Sequence, residues 1–274
     1  MTIDVRRMTG VIGAEVTGVD LCGPLHDDDV AAIRKALLEH EVLVFRGQPV
    51  TPEQHIRFAQ YFGEVKQPPV RTKHTPWPEI NVLDQTTALG QGSDDWHSDN
   101  SYTPEPAFAS ILHVVKVPSA GGDTGFASMG AAYEALSAPW RRMLDELTAV
   151  HDVTKSATKG VQYGHLTTSV AELQERNPPV EHPVVRTIPE TGRKVLYVNP
   201  NSTTHIVGMS EAESDAILRF LYEHVKRMEF HCRVTWDEST VVFFDNRVCQ
   251  HYAVPDYNER RILHRVAIKG DRPV

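Results

Sequence analysis

The spacing of apolar residues changes period twice within the first sixty positions. In "HDDDVAAIRKALLEH", Val30, Ile33, Leu37 and Leu38 fall on one helical stripe, and the acidic residues occupy the first turn, where the helix dipole favours them. "EVLVFRG" follows as a short, wholly apolar strand ending at Gly47. "TPEQHIRFAQYFG" opens with Thr51, Pro52 and Gln54, a capping box with proline at the first helical position, and closes on Gly63. A further helix is expected from Ser210, with Glu213 three residues on, burying Ile217, Phe220, Leu221 and His224 or Val225.

The C-terminal third alternates with a period of two. In "FHCRVTW", Phe230, Cys232, Val234 and Trp236 face one way and His231, Arg233 and Thr235 the other; "TVVFFDN" and "RRILHRVAI" read as further strands. Many strands, with helices early and in one late insertion, predict an antiparallel barrel or sandwich braced by helices. The polar stretch 155–183, "KSATKGVQYGHLTTSVAELQERNPPVEHP", has weak periodicity and is either a surface excursion or a lid over a pocket; the lid is the expectation.

Composition narrows the function classes. A chain of 274 residues with 41% hydrophobic content supports one large domain over 1–274, and neither a repeat nor a linker divides it. The net charge of −8, without a long basic run, argues against nucleic acid and anionic membrane as partners. No apolar run approaches the ~20 residues of a membrane span, and "MTIDVRRMTG" lacks the apolar core of a signal peptide. Cys22, Cys232 and Cys249, odd in number and widely spaced, suit free thiols in a reducing cytoplasm. A homo-oligomer, dimer or tetramer, is expected.

Candidate chemistry begins at "SDDWHSDNSYTP". On a strand, residues i and i+2 share a face, so His97 and Asp99 can aim an imidazole and a carboxylate at one ion. A third ligand is best supplied by His251 in "FFDNRVCQHYAVPDY", just beyond a strongly apolar strand. Two histidines and one carboxylate on one face of an octahedral ion leave three positions free, as non-haem Fe(II) oxygen chemistry requires. In "RRILHRV", Arg261, Leu263 and Arg265 share one face, the two guanidiniums ~13 Å apart at ~3.3 Å per residue. They can therefore serve two different anions in one cavity.

The ordered set of H-x-D (His97, Asp99), "GGDTGF" (Gly121 to Phe126), "DNRVCQHYAVPDY" with His251, and "RRILHR" resembles the taurine dioxygenase family. These are Fe(II)- and 2-oxoglutarate-dependent oxygenases that include the 2,4-dichlorophenoxyacetate and phenoxypropionate enzymes. The resemblance runs from "GAEVTGVDL" to "HRVAIKGDRP". It implies a double-stranded β-helix, or jelly roll, mainly β with flanking helices. It also implies His97, Asp99 and His251 as iron ligands, with Thr124 and Arg261 on the distal carboxylate of 2-oxoglutarate. Arg265 would take the anionic group of the primary substrate, with Asn100 and Ser202 beside it. The implied reaction consumes O₂ and 2-oxoglutarate, yields succinate and CO₂, and hydroxylates a small sulfonate, sulfate ester, aryloxy acid or other carboxylate.

Two departures bear on the substrate. The histidine and tyrosine that bind taurine in the taurine-specific members fall, by ungapped matching back from "NVLD", near Pro68 and Arg71; His74 substitutes only if the loop is shifted. Ser202, in "NPNSTTH", replaces an aromatic pocket residue. Together they point towards something bulkier or less polar than taurine. Two other classes stay open at this level. A Zn²⁺ hydrolase using the same ligands gives no reason for Arg261 and Thr124, and a jelly-roll binder without oxygenase activity has no need of three intact ligands.

Overall fold

The computed structural model describes residues 3–68, 75–89, 93–164, 166 and 168–274. The apolar run "VLVF" forms the strand Val42–Phe45, which pairs antiparallel with Val241–Asp245; Val42 lies opposite Phe244 and Val44 opposite Val242. Around them an eight-stranded sheet runs from Asp4–Arg7 through Ala14–Thr17, Val42–Phe45, Val241–Asp245 and Ala109–Lys116 to Arg261–Ile268. Val65–Lys66 and Ile80–Gln85 both pair with the outer side of that last strand. A three-stranded sheet, His231–Val234, Thr124–Ser128 and Cys249–Ala253, faces the larger one.

Alternation along each strand explains why both faces of the larger sheet are apolar. Val42, Val44, Val242 and Phe244 pack with Phe126, Val234 and Cys249 of the smaller sheet and with Trp236 just beyond it. Leu43, Phe45, Val241 and Phe243 point the other way and pack with Ile33 and Leu37 of the helix Asp27–His40 and Phe58 of Pro52–Gln60. Two facing sheets, mainly antiparallel and braced on the outside by helices, make the jelly roll expected from the sequence. A second core joins the helices Met129–Glu134, Ala138–Leu144 and Glu211–Val225 to the strands Thr148–His151, Val185–Thr187 and Lys194–Leu196.

The local signals fare unevenly. Both capping boxes, Thr51 with Gln54 and Ser210 with Glu213, are formed. The stripe of the late helix is rotated: Ser214, Leu218, Leu221 and Val225 are buried, whereas Phe220 is 40% exposed and stacks on Trp140 at 4.2 Å. The two candidate stripes are adjacent on the helix, and packing against the second core selects the one containing Leu218. Helices are also not confined to the start and one late insertion, since two lie at 129–144. The weakly periodic stretch contains Thr154–Gln162 and Val170–Arg176, the latter opened by a Ser169–Glu172 capping box. All three cysteines are free. No helix among the described residues is long and apolar enough to cross a membrane.

Candidate metal centre

His251 is the middle residue of Cys249–Ala253, paired with Phe126 on the neighbouring strand, and its ring lies between Phe126 and Phe244 at 5.9 and 4.7 Å. Away from that neighbour, Cys249–Ala253 meets His97 and, through the Ala253 N–H, the Ser93 carbonyl. The His97 N–H donates to the His251 carbonyl at 3.1 Å, and the His251 N–H donates to the His97 carbonyl at 2.9 Å. This isolated antiparallel bridge places the two imidazoles side by side, ring centroids 4.2 Å apart. Trp96, beside His97, is wedged against His231 and Tyr252.

Asp99 completes the group, but not by the route the sequence suggests. His97 occupies a single bridge and Asp99 no strand at all. The Asp99 N–H and carbonyl are held instead by the side-chain amide of Asn246. The carboxylate Oδ1 then lies 4.0 Å from His97 Nε2 and 3.9 Å from His251 Nε2. Among the described residues, these three form the one buried cluster of metal-ligating side chains.

The donors suit a divalent ion. Burial pushes the His97 imidazole below its ordinary range, and burial with the neighbouring His97 takes His251 down to about 3, so both rings are neutral. The His97 Nδ1–H donates to the Asp95 carbonyl at 2.9 Å, which leaves Nε2 as the lone-pair nitrogen. Burial would raise the Asp99 carboxyl, but the Arg265 guanidinium, helped by a hydrogen bond from Ser110, holds the group well below the usual carboxylate range. Ser110 donates its hydroxyl to Asp99 Oδ2 at 2.9 Å, and Arg265 pairs with Oδ1. Two neutral imidazole nitrogens and an ionised carboxylate oxygen are the donor set that non-haem iron accepts.

A cavity of about 240 Å³ opens from this cluster and also takes in Thr124, Arg261 and Arg265. Arg261 is buried, 3% exposed, with Nη2 donating to Thr124 Oγ1 at 3.2 Å. Trp236 Nε1 donates to the same hydroxyl at 3.1 Å, and the guanidinium lies 5.7 Å from the Trp236 ring centre and 5.8 Å from that of Tyr257. The "GGDTGF" turn makes this approach possible. Gly122 has φ +74, and a Cβ there would meet Arg261 Cδ at 3.1 Å; a Cβ on Gly125 would meet the Tyr252 ring at 2.5 Å.

Arg261, Leu263 and Arg265 all line the cavity, as the even spacing predicts, despite a bulge between Ile262 and Leu263 against the strand Ala109–Lys116. Asn100 lines it too, in a left-handed conformation (φ 53), with its side-chain oxygen accepting from Tyr102. Ser202 also lines it, as does Ser156 of the helix Thr154–Gln162. Pro68 lies in a narrow crevice shared with Asn81, Asn100 and Arg265, while Arg71 and His74 are outside the described residues. Sequence reasoning missed Asn246, Ser110 and Trp236. Ser110 was detectable as a hydroxyl on the inward face of an apolar strand; Asn246 carried no signal beyond its place in "DNRVCQH".

The profile of the family described as taurine catabolism dioxygenase TauD, TfdA family matches residues 4–267. The chain belongs to the TauD/TfdA family. It is 36% identical to an alpha-ketoglutarate-dependent sulfate ester dioxygenase of Pseudomonas putida, covering 100% of this chain and 92% of that one. It is 33% identical to an alpha-ketoglutarate-dependent 2,4-dichlorophenoxyacetate dioxygenase of Cupriavidus pinatubonensis, with both chains fully covered at 100%. The crystal structure of a taurine dioxygenase from Burkholderia xenovorans superposes with a TM-score of 0.86 at 39% identity, covering 99% of this chain and 91% of that one.

Proposed function

We propose that this protein is an Fe(II)- and 2-oxoglutarate-dependent dioxygenase that hydroxylates a small anionic organic substrate and releases succinate and CO₂. The observation that carries the reading is that one cavity joins His97, Asp99 and His251 to the buried pair Thr124 and Arg261. A zinc hydrolase or a non-catalytic binder has no use for that pair. Family membership and full-length similarity to sulfate ester and 2,4-dichlorophenoxyacetate dioxygenases support the same chemistry. They also support sulfate esters, sulfonates and aryloxy acids as the substrate classes to try.

His97, Asp99 and His251 would hold the iron, which supplies the O₂ chemistry coupling oxidative decarboxylation of 2-oxoglutarate to hydroxylation of a C–H bond. Arg261 and Thr124 bind the far carboxylate of 2-oxoglutarate and so fix its orientation. Trp236 and Tyr257 keep the guanidinium dry and in place, which strengthens a charge-assisted bidentate contact. Arg265, with Asn100 and Ser202, receives the substrate. The segment 155–183 acts as a lid: its helix puts Ser156 on the cavity wall, and Lys159 ties it to Asp94 at 2.7 Å.

The deciding experiment follows succinate formed from 2-oxoglutarate under air with added Fe(II), across alkyl sulfates, sulfonates and aryloxy acids. Substrate-stimulated turnover, lost in His251→Ala together with iron binding, is the expected result. Undiminished iron binding in both His97→Ala and His251→Ala removes the assignment.

A further inference from the structure

We infer that Asn246 is a positioning residue for the metal centre, its side-chain amide acting as a substitute strand for Asp99. The inference rests on the reading of His97, Asp99 and His251 as ligands. An antiparallel ladder repeats its hydrogen-bonded pairs every two residues. At His97 the ladder is regular, with both main-chain groups paired to His251. Two residues on, the pairing is not continued: the bridge at His97 is isolated, and Asp99 belongs to no strand. The Asp99 main chain would be left without partners in a buried position, a costly state for peptide groups.

Asn246 fills the gap. Its Oδ1 accepts from the Asp99 N–H at 2.6 Å, and its Nδ2 donates to the Asp99 carbonyl at 3.1 Å. This is the donor and acceptor pair that a neighbouring peptide would offer. The second Nδ2 hydrogen goes to the Ala107 carbonyl at 3.1 Å, and the Asn246 N–H donates to the Phe108 carbonyl at 3.0 Å. The side chain is fully buried and sits immediately after the strand Val241–Asp245. It thereby joins the H-x-D segment, the 107–108 connection and the central sheet. A one-residue loop flexure at Asp99 would otherwise cost nothing in strand pairing and would swing the carboxylate relative to two histidines held by their own bridge.

Only an amide has both the acceptor and the two donors in this geometry. Asn246→Asp keeps the shape and the acceptor but turns a bare carboxylate oxygen towards two carbonyls; Asn246→Ala removes all three bonds. The test pairs two readouts on the full chain. Co(II) affinity by calorimetry compares wild type, His251→Ala and both Asn246 variants. Crystal structures of the metal-free variants read the Asp99 main chain directly. Expected are a ten- to hundredfold weaker Co(II) affinity in the Asn246 variants, roughly the range for outer-layer partners of metal ligands, and displacement of Asp99 by more than about 0.5 Å. An Asp99 main chain unmoved in Asn246→Asp overturns the inference whatever the metal does, as does wild-type Co(II) affinity in a folded Asn246→Asp. Failure of the ligand reading has a different signature, a His251→Ala variant that binds Co(II) as wild type does. If Asn246→Ala does not fold, the same measurements on Asn246→Asp decide.

Discussion

Arg265 is paired with Oδ1 of Asp99, the same carboxylate oxygen that faces Nε2 of His97 and of His251. The guanidinium thus has two tasks in one place: it keeps the Asp99 carboxylate ionised and presents a positive charge to the cavity. If Arg265 receives the substrate as proposed, this shared charge would link substrate recognition to Asp99 more closely than the strand spacing implied.

That sharing shapes the first prediction. Arg265→Ala should lower kcat/KM for an anionic substrate by about ten- to a hundredfold, the worth of ~1.5–3 kcal/mol for a charged hydrogen bond at ~1.4 kcal/mol per decade. Arg265→Lys preserves the charge beside Asp99 but loses the fork, so it should keep substrate-free decarboxylation of 2-oxoglutarate while still using substrate poorly. The measurement is succinate formation with and without substrate. A neutral best substrate would leave Arg265 without this role.

Arg261 differs in lying against Trp236 and Tyr257, with the Thr124 hydroxyl accepting from its Nη2. Arg261→Lys should raise the KM for 2-oxoglutarate by roughly tenfold or more, since an ammonium cannot reproduce a bidentate contact. The KM for the primary substrate should move far less. Equal shifts in both constants would mean that the two anions do not occupy separate ends of the cavity.

Glu41 offers a pH test away from the metal. It is fully buried just after the helix Asp27–His40, with φ 66; Ser128 and Arg193 donate to its Oε1. Burial pushes the carboxyl up to about 7, against the opposing pull of Arg193 and Ser128. A folded-state value above the unfolded one means that its contribution to stability is complete below the unfolded value of 4.5 and is lost as pH rises through about 7. Glu41→Gln does not titrate, so its stability relative to wild type should rise between pH 5 and 8, by an amount approaching ~3 kcal/mol. Denaturant unfolding of both proteins across that range is the check, and a constant difference would show that Glu41 does not titrate there.

How far the sequence was legible depends on whether the signal was local. The capping boxes at Thr51 and Ser210 and the shared face of Cys232, Val234 and Trp236 are short-range patterns present in the fold, whereas Phe230 ends a short 3-10 helix and joins the second core. The convergence of Arg261, Leu263 and Arg265 on one cavity follows from strand parity alone. What was not legible is set by contacts distant in sequence. Leu218 rather than Phe220 is buried because of the second core, which no single helix reveals. Asp99 reaches the histidines through Asn246 rather than through strand pairing, and a side chain replacing a peptide leaves no periodicity behind.

Ser202 gives the last prediction. It lines the cavity, 4% exposed, on a turn that Asn199 fixes: Asn199 Oδ1 accepts from the Ser202 N–H at 2.9 Å, and Nδ2 donates to Ser101 at 2.9 Å. A turn held at both ends should tolerate a larger side chain only by filling the cavity. Ser202→Phe therefore removes space from the cavity while leaving both arginines in the sequence. Catalytic efficiency should fall for aryloxy acids and long alkyl sulfates and hold, or rise relative to them, for short sulfonates. One hydrophobic group more or less in such a pocket shifts discrimination by ~1–3 kcal/mol, or about ten- to two-hundredfold. The measurement is kcat/KM for a short and a long substrate of the same head group, in wild type and variant. An unchanged ratio would place the substrate's tail elsewhere, towards the crevice of Lys66, Pro68 and Glu79.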